Sequence, residues 1–81
     1  MTRLLLFGRL HDIAGWRERR LDAAPATLFA LRDALAREDA ALGEALAGPG
    51  VHAVVDQIIV RGDASLVGAA EVAFLPPMSG G

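Results

Sequence analysis

The segment APATLFALRDALARE, residues 24–38, carries the clearest helical periodicity in the chain, and what it needs constrains everything around it. Thr27 is placed to cap it, its hydroxyl accepting from an orphan amide of the first turn. Leu28, Leu31 and Leu35 recur on one face with Ala34 beside them, while Arg32, Asp33 and Arg37 fall away from it. Asp33 and Arg37 stand four apart in the favourable order, set for a weak surface pair of about 0.3 kcal/mol. A leucine stripe at this spacing is a core face rather than a cofactor box, and it must be covered by an apolar surface that the flanking segments supply.

Those flanking segments read as strands. Thr2–Gly8 (TRLLLFG) is apolar on both alternating faces, as in a central strand covered on both sides. Arg9–Gly15 (RLHDIAG) is a short helical turn closed by Gly15, which readily takes the left-handed conformation. Trp16–Ala23 (WRERRLDA) carries charge at nearly every middle position and reads as an exposed strand in a hairpin with the first. After the main helix, Asp39–Gly50 reads as a less regular helical turn ended by Gly48, Pro49 and Gly50. Val51–Gln57 (VHAVVDQ) is β-branched and alternates, Ile58–Val60 is a short fourth strand, and Arg61-Gly62-Asp63 is a turn with no adhesion meaning. In the last strand Val72 and Phe74 share one face, and Pro76 and Pro77 end its hydrogen bonding.

Strand, strand, helix, strand, short strand, strand is the order of an α+β domain, a mixed sheet of about five strands clasping one main helix. Its 81 residues make one domain with a modest core. Yet 53% of the residues are hydrophobic and the mean hydropathy is +0.38. Many are alanines, tolerated anywhere, but the excess points to an apolar patch left on the surface for a partner.

Composition excludes several functions. A net charge of −2 leaves no basic footprint for nucleic acid. The cluster Arg17–Arg20 reads as a solvated edge that discourages unwanted pairing, with docking onto an acidic partner as the alternative. There is no cysteine, hence no disulfide, thiolate nucleophile or side-chain persulfide. The apolar run Leu4–Phe7 is far too short for a signal or a membrane span, so the expected location is the cytoplasm. His11 and His52 lie far apart, without metal-ligand spacing, and read as surface or hydrogen-bonded histidines. Ser65 and Ser79 lack a nucleophile-elbow context, and Gly48, Gly50, Gly62 and Gly68 form no phosphate cradle. No metal site, no stably bound cofactor and no catalysis by the chain alone are expected.

What remains is the end, FLPPMSGG. Pro76 and Pro77 hold the backbone in a stiff extended run, so a tail launched there loses less entropy on docking. From Pro77 to Gly81 four residue steps reach at most roughly 14 Å, enough to enter another protein's active site. Gly80 and Gly81 lack a Cβ and suit a channel too narrow for side chains. The expected division is a folded domain over residues 1–77 and a flexible Gly-Gly tail over 78–81.

The opening LLLFGRLHDIAG, the strand end AVVDQ and above all EVAFLPPMSGG closely resemble the small, sulfur-carrying subunit of molybdopterin synthase, a ubiquitin-like β-grasp protein, over nearly the whole chain. The resemblance implies that an E1-like adenylyltransferase uses ATP to adenylate the carboxylate of Gly81, which then becomes a thiocarboxylate. It implies that the tail enters the large synthase subunit, where the sulfur passes to cyclic pyranopterin monophosphate. Ser79 and Gly80 would thread the channel, Phe74, Leu75, Pro76, Pro77 and Met78 would line the contact with both partners, and the assembly would be a heterotetramer. The absence of cysteine fits such a cycle. The absence of lysine fits too, because a nearby amine would compete for the activated carboxylate, although a bias toward arginine explains it equally. Two departures from the pattern, VGAAEV at Val67–Val72 and Asp56 within VDQ, lie outside the tail and bear on turn geometry or partner fit. The alternatives are the thiamine-pathway sulfur carrier, a ubiquitin-like modifier joined to target lysines through Gly81, and a plain binding module whose end does nothing.

Overall fold

The computed structural model describes residues 1–77. Five strands, β1 (Thr2–Leu6), β2 (Glu18–Leu21), β3 (His52–Val55), β4 (Ile58–Val60) and β5 (Glu71–Leu75), form one sheet in the order β2-β1-β5-β3-β4. All neighbours are antiparallel except β1 and β5, which run parallel at its centre. Three helices, α1 (Arg9–Ala14), α2 (Leu28–Glu38) and α3 (Ala40–Leu46), join the strands. This is the β-grasp arrangement, with α2 as the main clasped helix.

Helix α2 begins where its cap predicts: the Thr27 hydroxyl accepts from the Ala30 amide at 3.1 Å. Leu28, Leu31 and Leu35 are buried, and they meet Leu4, Leu6, Ala53, Val72 and Phe74 from the sheet. Each fully buried leucine or phenylalanine contributes about 1.5–3 kcal/mol by leaving water. Arg61-Gly62-Asp63, expected as a turn, is an open bend at Gly62, whose φ is 73°, without a hydrogen bond closing it, and it adds a second cap, since the Asp63 carboxylate accepts from the Phe29 amide at 2.9 Å.

Several expectations are corrected. Strand β1 is covered on one face only: Thr2, Leu4 and Leu6 are buried while Arg3 is exposed and Leu5 half-buried. Asp39–Gly50 is not irregular, because Asp39 ends α2 and caps α3, its carboxylate accepting from the Leu42 amide at 3.1 Å, and Leu42 and Leu46 complete the core. Ala34 is exposed, whereas Arg32 lies half-buried with its guanidinium carbon 5.6 Å from the centre of the Phe74 ring. Asp33 and Arg37 form no ion pair among the described residues. Nor is the basic cluster wholly solvated: Arg19 turns to the helix side, stacks 4.2 Å from the Trp16 ring centre and donates to Glu38 at 2.6 Å.

The third strand stops two residues earlier than its pattern predicts. Asp56 and Gln57 have φ of 46° and 69°, the two positive values of a tight hairpin turn between β3 and β4. Asp56 tolerates this and earns its place: its carboxylate oxygen accepts from the Ala70 and Glu71 amides, both at 2.9 Å, tying the turn to the start of β5. The Gln57 side chain makes no such bond among the described residues. Gln57→Gly is therefore expected to stabilise the domain by about 1 kcal/mol, the cost of a left-handed L-residue, read as a raised urea midpoint at unchanged slope. A lowered midpoint would show that the Gln57 side chain does more than occupy the turn.

Candidate functional site: the exit of the last strand and the open sheet face

Because the helices cover one face, the other is free among the described residues, and the strand register sets what it presents. Leu5 pairs with Ala73, Ala73 with Val54, and Val54 with Ile59, so these four form an apolar row across β1, β5, β3 and β4, in which Ala73 is itself buried between its larger neighbours. One step toward the end of β5, Leu75 pairs with His52, and Phe7 lies just beyond β1, its amide donating to the Phe74 carbonyl at 3.2 Å. Phe7 and Ile59 are 43% and 58% exposed, far more than an interior would leave them. The opposite end of the face is charged: Arg3 bridges Glu18 at 3.3 Å and Glu71 at 3.4 Å. These exposed pairs add little stability and frame the patch instead.

The chain leaves the sheet at the apolar end. Strand β5 stops at Leu75 because neither Pro76 nor Pro77 has an amide to donate. The two rings sit against two glycines. A Cβ at Gly8, between β1 and α1, would lie 2.9 Å from Pro76 Cγ, and one at Gly50, between α3 and β3, would lie 2.7 Å from Pro77 Cβ. Beside Pro77 an open groove of ≈ 490 Å³ runs between α1 and α3, with Leu10, Ile13 and Val51 in its wall.

Of the residues expected to meet partners, Leu75, Pro76 and Pro77 are together at this exit, half-buried to exposed. Phe74 is corrected: it is 0% exposed, a core residue beneath the exit and not a contact surface. Met78, Ser79, Gly80 and Gly81 lie outside the described residues. His52 stands on the open face and His11 in α1 beside Asp12, and no cluster of three or more His, Cys, Asp or Glu side chains able to hold a metal is found among the described residues. The sequence reading expected an apolar patch but did not locate Leu5, Val54 and Ile59 in it. The signal was the alternation in TRLLLF and HAVV, which separates two faces but does not say which one is covered.

A mixed five-stranded sheet with its helices on one face is the β-grasp fold of the small ubiquitin-like proteins, whose carrier members typically work with partner enzymes and are generally not catalysts themselves. Residues 4–81 match the ThiS family of ubiquitin-like sulfur carriers, and the chain belongs to it. Among solved structures it is similar to SAMP1 from Haloferax volcanii, at 26% identity and a TM-score of 0.72, with 99% of this chain and 98% of that chain covered. Among curated proteins no match is found. No helix among the described residues is long and apolar enough to cross a membrane.

Proposed function

We propose that this chain is the sulfur carrier of molybdenum cofactor assembly, acting as the small subunit of molybdopterin synthase in the cytoplasm. An E1-like adenylyltransferase joins the Gly81 carboxylate to AMP, releasing pyrophosphate from ATP. A sulfide nucleophile then attacks the acyl carbon and AMP leaves, giving the thiocarboxylate. In the large subunit that sulfur bonds to a carbon of cyclic pyranopterin monophosphate, and water then cleaves the resulting thioester, leaving the sulfur on the pterin and returning Gly81 as a carboxylate. The observation that carries this reading is the diproline exit of EVAFLPPMSGG, placed beside the open apolar face. In this cycle Leu5, Val54, Ile59 and Leu75 dock the body, Pro76 and Pro77 aim the tail with Met78 at its root, and Ser79 and Gly80 thread the channel.

Intact-mass measurement after incubation with ATP, a sulfur source and the adenylyltransferase is expected to show one oxygen replaced by sulfur at the C-terminus. An unchanged mass with a competent partner would refute the carrier cycle. Presenting the loaded protein separately to the large molybdopterin synthase subunit and to thiazole synthase decides the pathway: desulfuration by the second alone would favour the thiamine route.

Val54→Glu places a charge in the middle of the apolar row without touching the helix side. It is expected to leave the circular dichroism spectrum unchanged and to weaken adenylyltransferase binding by at least tenfold, about 1.4 kcal/mol, as for a central interface residue. Unaltered affinity would exclude this face from docking. The likeness to SAMP1 favours a second reading, a ubiquitin-like modifier. Its mark would be Gly81 in amide linkage to lysines of other proteins with no thiocarboxylate form.

A further inference from the structure

We propose that Gly8 and Gly50 are positioning residues that form a seat for Pro76 and Pro77, and that this seat sets the direction in which the chain beyond Pro77 leaves the body. The seat stands on the geometry alone; its role in aiming the tail rests on the carrier reading above.

Five described glycines have positive φ: Gly8 at 56°, Gly15 at 81°, Gly50 at 81°, Gly62 at 73° and Gly68 at 76°. For Gly15, Gly62 and Gly68 nothing lies within 4 Å of where a Cβ would be, so backbone conformation alone accounts for them. Gly8 and Gly50 differ. At each, the space of the missing side chain is filled by a proline ring, at 2.9 Å from Pro76 Cγ and 2.7 Å from Pro77 Cβ, distances that real Cβ atoms essentially never show.

The two glycines come from loops far apart in sequence, and the diproline lies against both. The first loop is tied to β5 by the Phe7 amide donating to the Phe74 carbonyl at 3.2 Å. Proline fixes φ, so a displaced ring cannot be absorbed locally and is passed on as a change of direction. Once threaded in a partner's channel the tail has a fixed span of at most roughly 14 Å from Pro77 to Gly81, so a shift of its starting point at Pro77 is carried to the carboxylate. A misplacement of about 1 Å at a reacting group can cost on the order of a hundredfold in rate.

The test compares Gly50→Ala with Gly15→Ala, which share a φ of 81° and differ in the proline contact. Adenylation by the E1-like partner is followed as pyrophosphate release, alongside thermal unfolding. Gly50→Ala is expected to lower kcat about tenfold at unchanged KM, the split of a lost aim rather than lost docking. Gly15→Ala is expected to keep kcat while losing only the stability that alanine at a positive φ costs. Equal kcat for the two variants, or a loss confined to KM and tracking the unfolded fraction, overturns the proposal.

A double-mutant comparison guards against misfolding. Added to Pro76→Ala, which lacks the Cγ in question, Gly8→Ala is expected to lower kcat no more than about twofold, against about tenfold in the wild type. Equal losses in both backgrounds overturn the proposal. Independently of any enzyme, nuclear Overhauser contacts from the Gly8 and Gly50 α-protons to the Pro76 and Pro77 rings are expected in the wild type and reduced at Pro77 in Gly50→Ala. Their absence from the wild type removes the seat. A wild-type protein that the partner fails to adenylate, with those contacts present, overturns the carrier reading and leaves the seat standing.

Discussion

Deleting Gly81, or adding one residue after it, is expected to abolish ATP-dependent sulfur loading while the domain melts as before. On the proposed cycle the only group that is activated is that carboxylate. The chain has no cysteine to hold sulfur as a persulfide, so no side chain can take over the role. Adding a residue leaves a carboxylate present but moves it about 3.5 Å along the channel, and acyl transfer does not survive displacement on that scale. The fold is indifferent to the change because its core lies between Leu4 and Phe74. Intact mass, pyrophosphate release and the thermal midpoint measured on the same samples separate the two effects. A shortened protein that still gains sulfur would end the carrier reading, whatever its sheet face binds.

Phe74→Ala is expected to be the most damaging substitution near the exit, costing about 3–5 kcal/mol, the range for truncating a fully buried aromatic. Against a typical domain stability of about 5–15 kcal/mol, that is a third or more of the total for a domain near the low end of the range. The ring is 0% exposed, flanked across the sheet by Leu6 and Ala53, and belongs to the core cluster. It also faces the Arg32 guanidinium at 5.6 Å, and among the described residues Arg32 Nε is buried with no hydrogen-bond partner, so removing the ring strips that cation of its aromatic neighbour. Leu75→Ala, one residue on, trims a half-buried side chain on the opposite face and is expected to cost about 1 kcal/mol. Urea unfolding of the two variants checks the contrast. Similar losses at both positions would contradict the assignment of Phe74 to the core and Leu75 to the surface.

Much of this architecture is legible without coordinates. The Thr27 cap, the leucine stripe of α2, the hairpin of β1 and β2, the Gly15 helix end and the diproline stop are each dictated by a few adjacent residues. Local chemistry suffices there because the competing conformations differ by amounts comparable to a single cap or a fixed proline φ. The hairpin turn at Asp56-Gln57 escaped because neither residue is glycine, and the bond that makes Asp56 worthwhile reaches residues 14 and 15 positions away. The charge of Arg32 predicts the solvent side, although its guanidinium carbon lies 5.6 Å from the Phe74 ring centre, as long basic side chains often fold back over apolar surface.

The sequence by itself determined that the chain is one small α+β domain, that it has no cysteine with which to carry sulfur on a side chain, and that its last strand ends in two prolines followed by Met-Ser-Gly-Gly. Those properties follow from composition and from neighbours along the chain. Only the tertiary structure decided which face of the sheet the helices cover, and so which of the alternating residues in β1, β3 and β5 became core and which became the open apolar row. Only it brought Gly8 and Gly50 to the two prolines. The reason is that strand periodicity of two distinguishes two faces but not inside from outside, and close approach between segments some 27 to 68 residues apart leaves no mark in either segment alone.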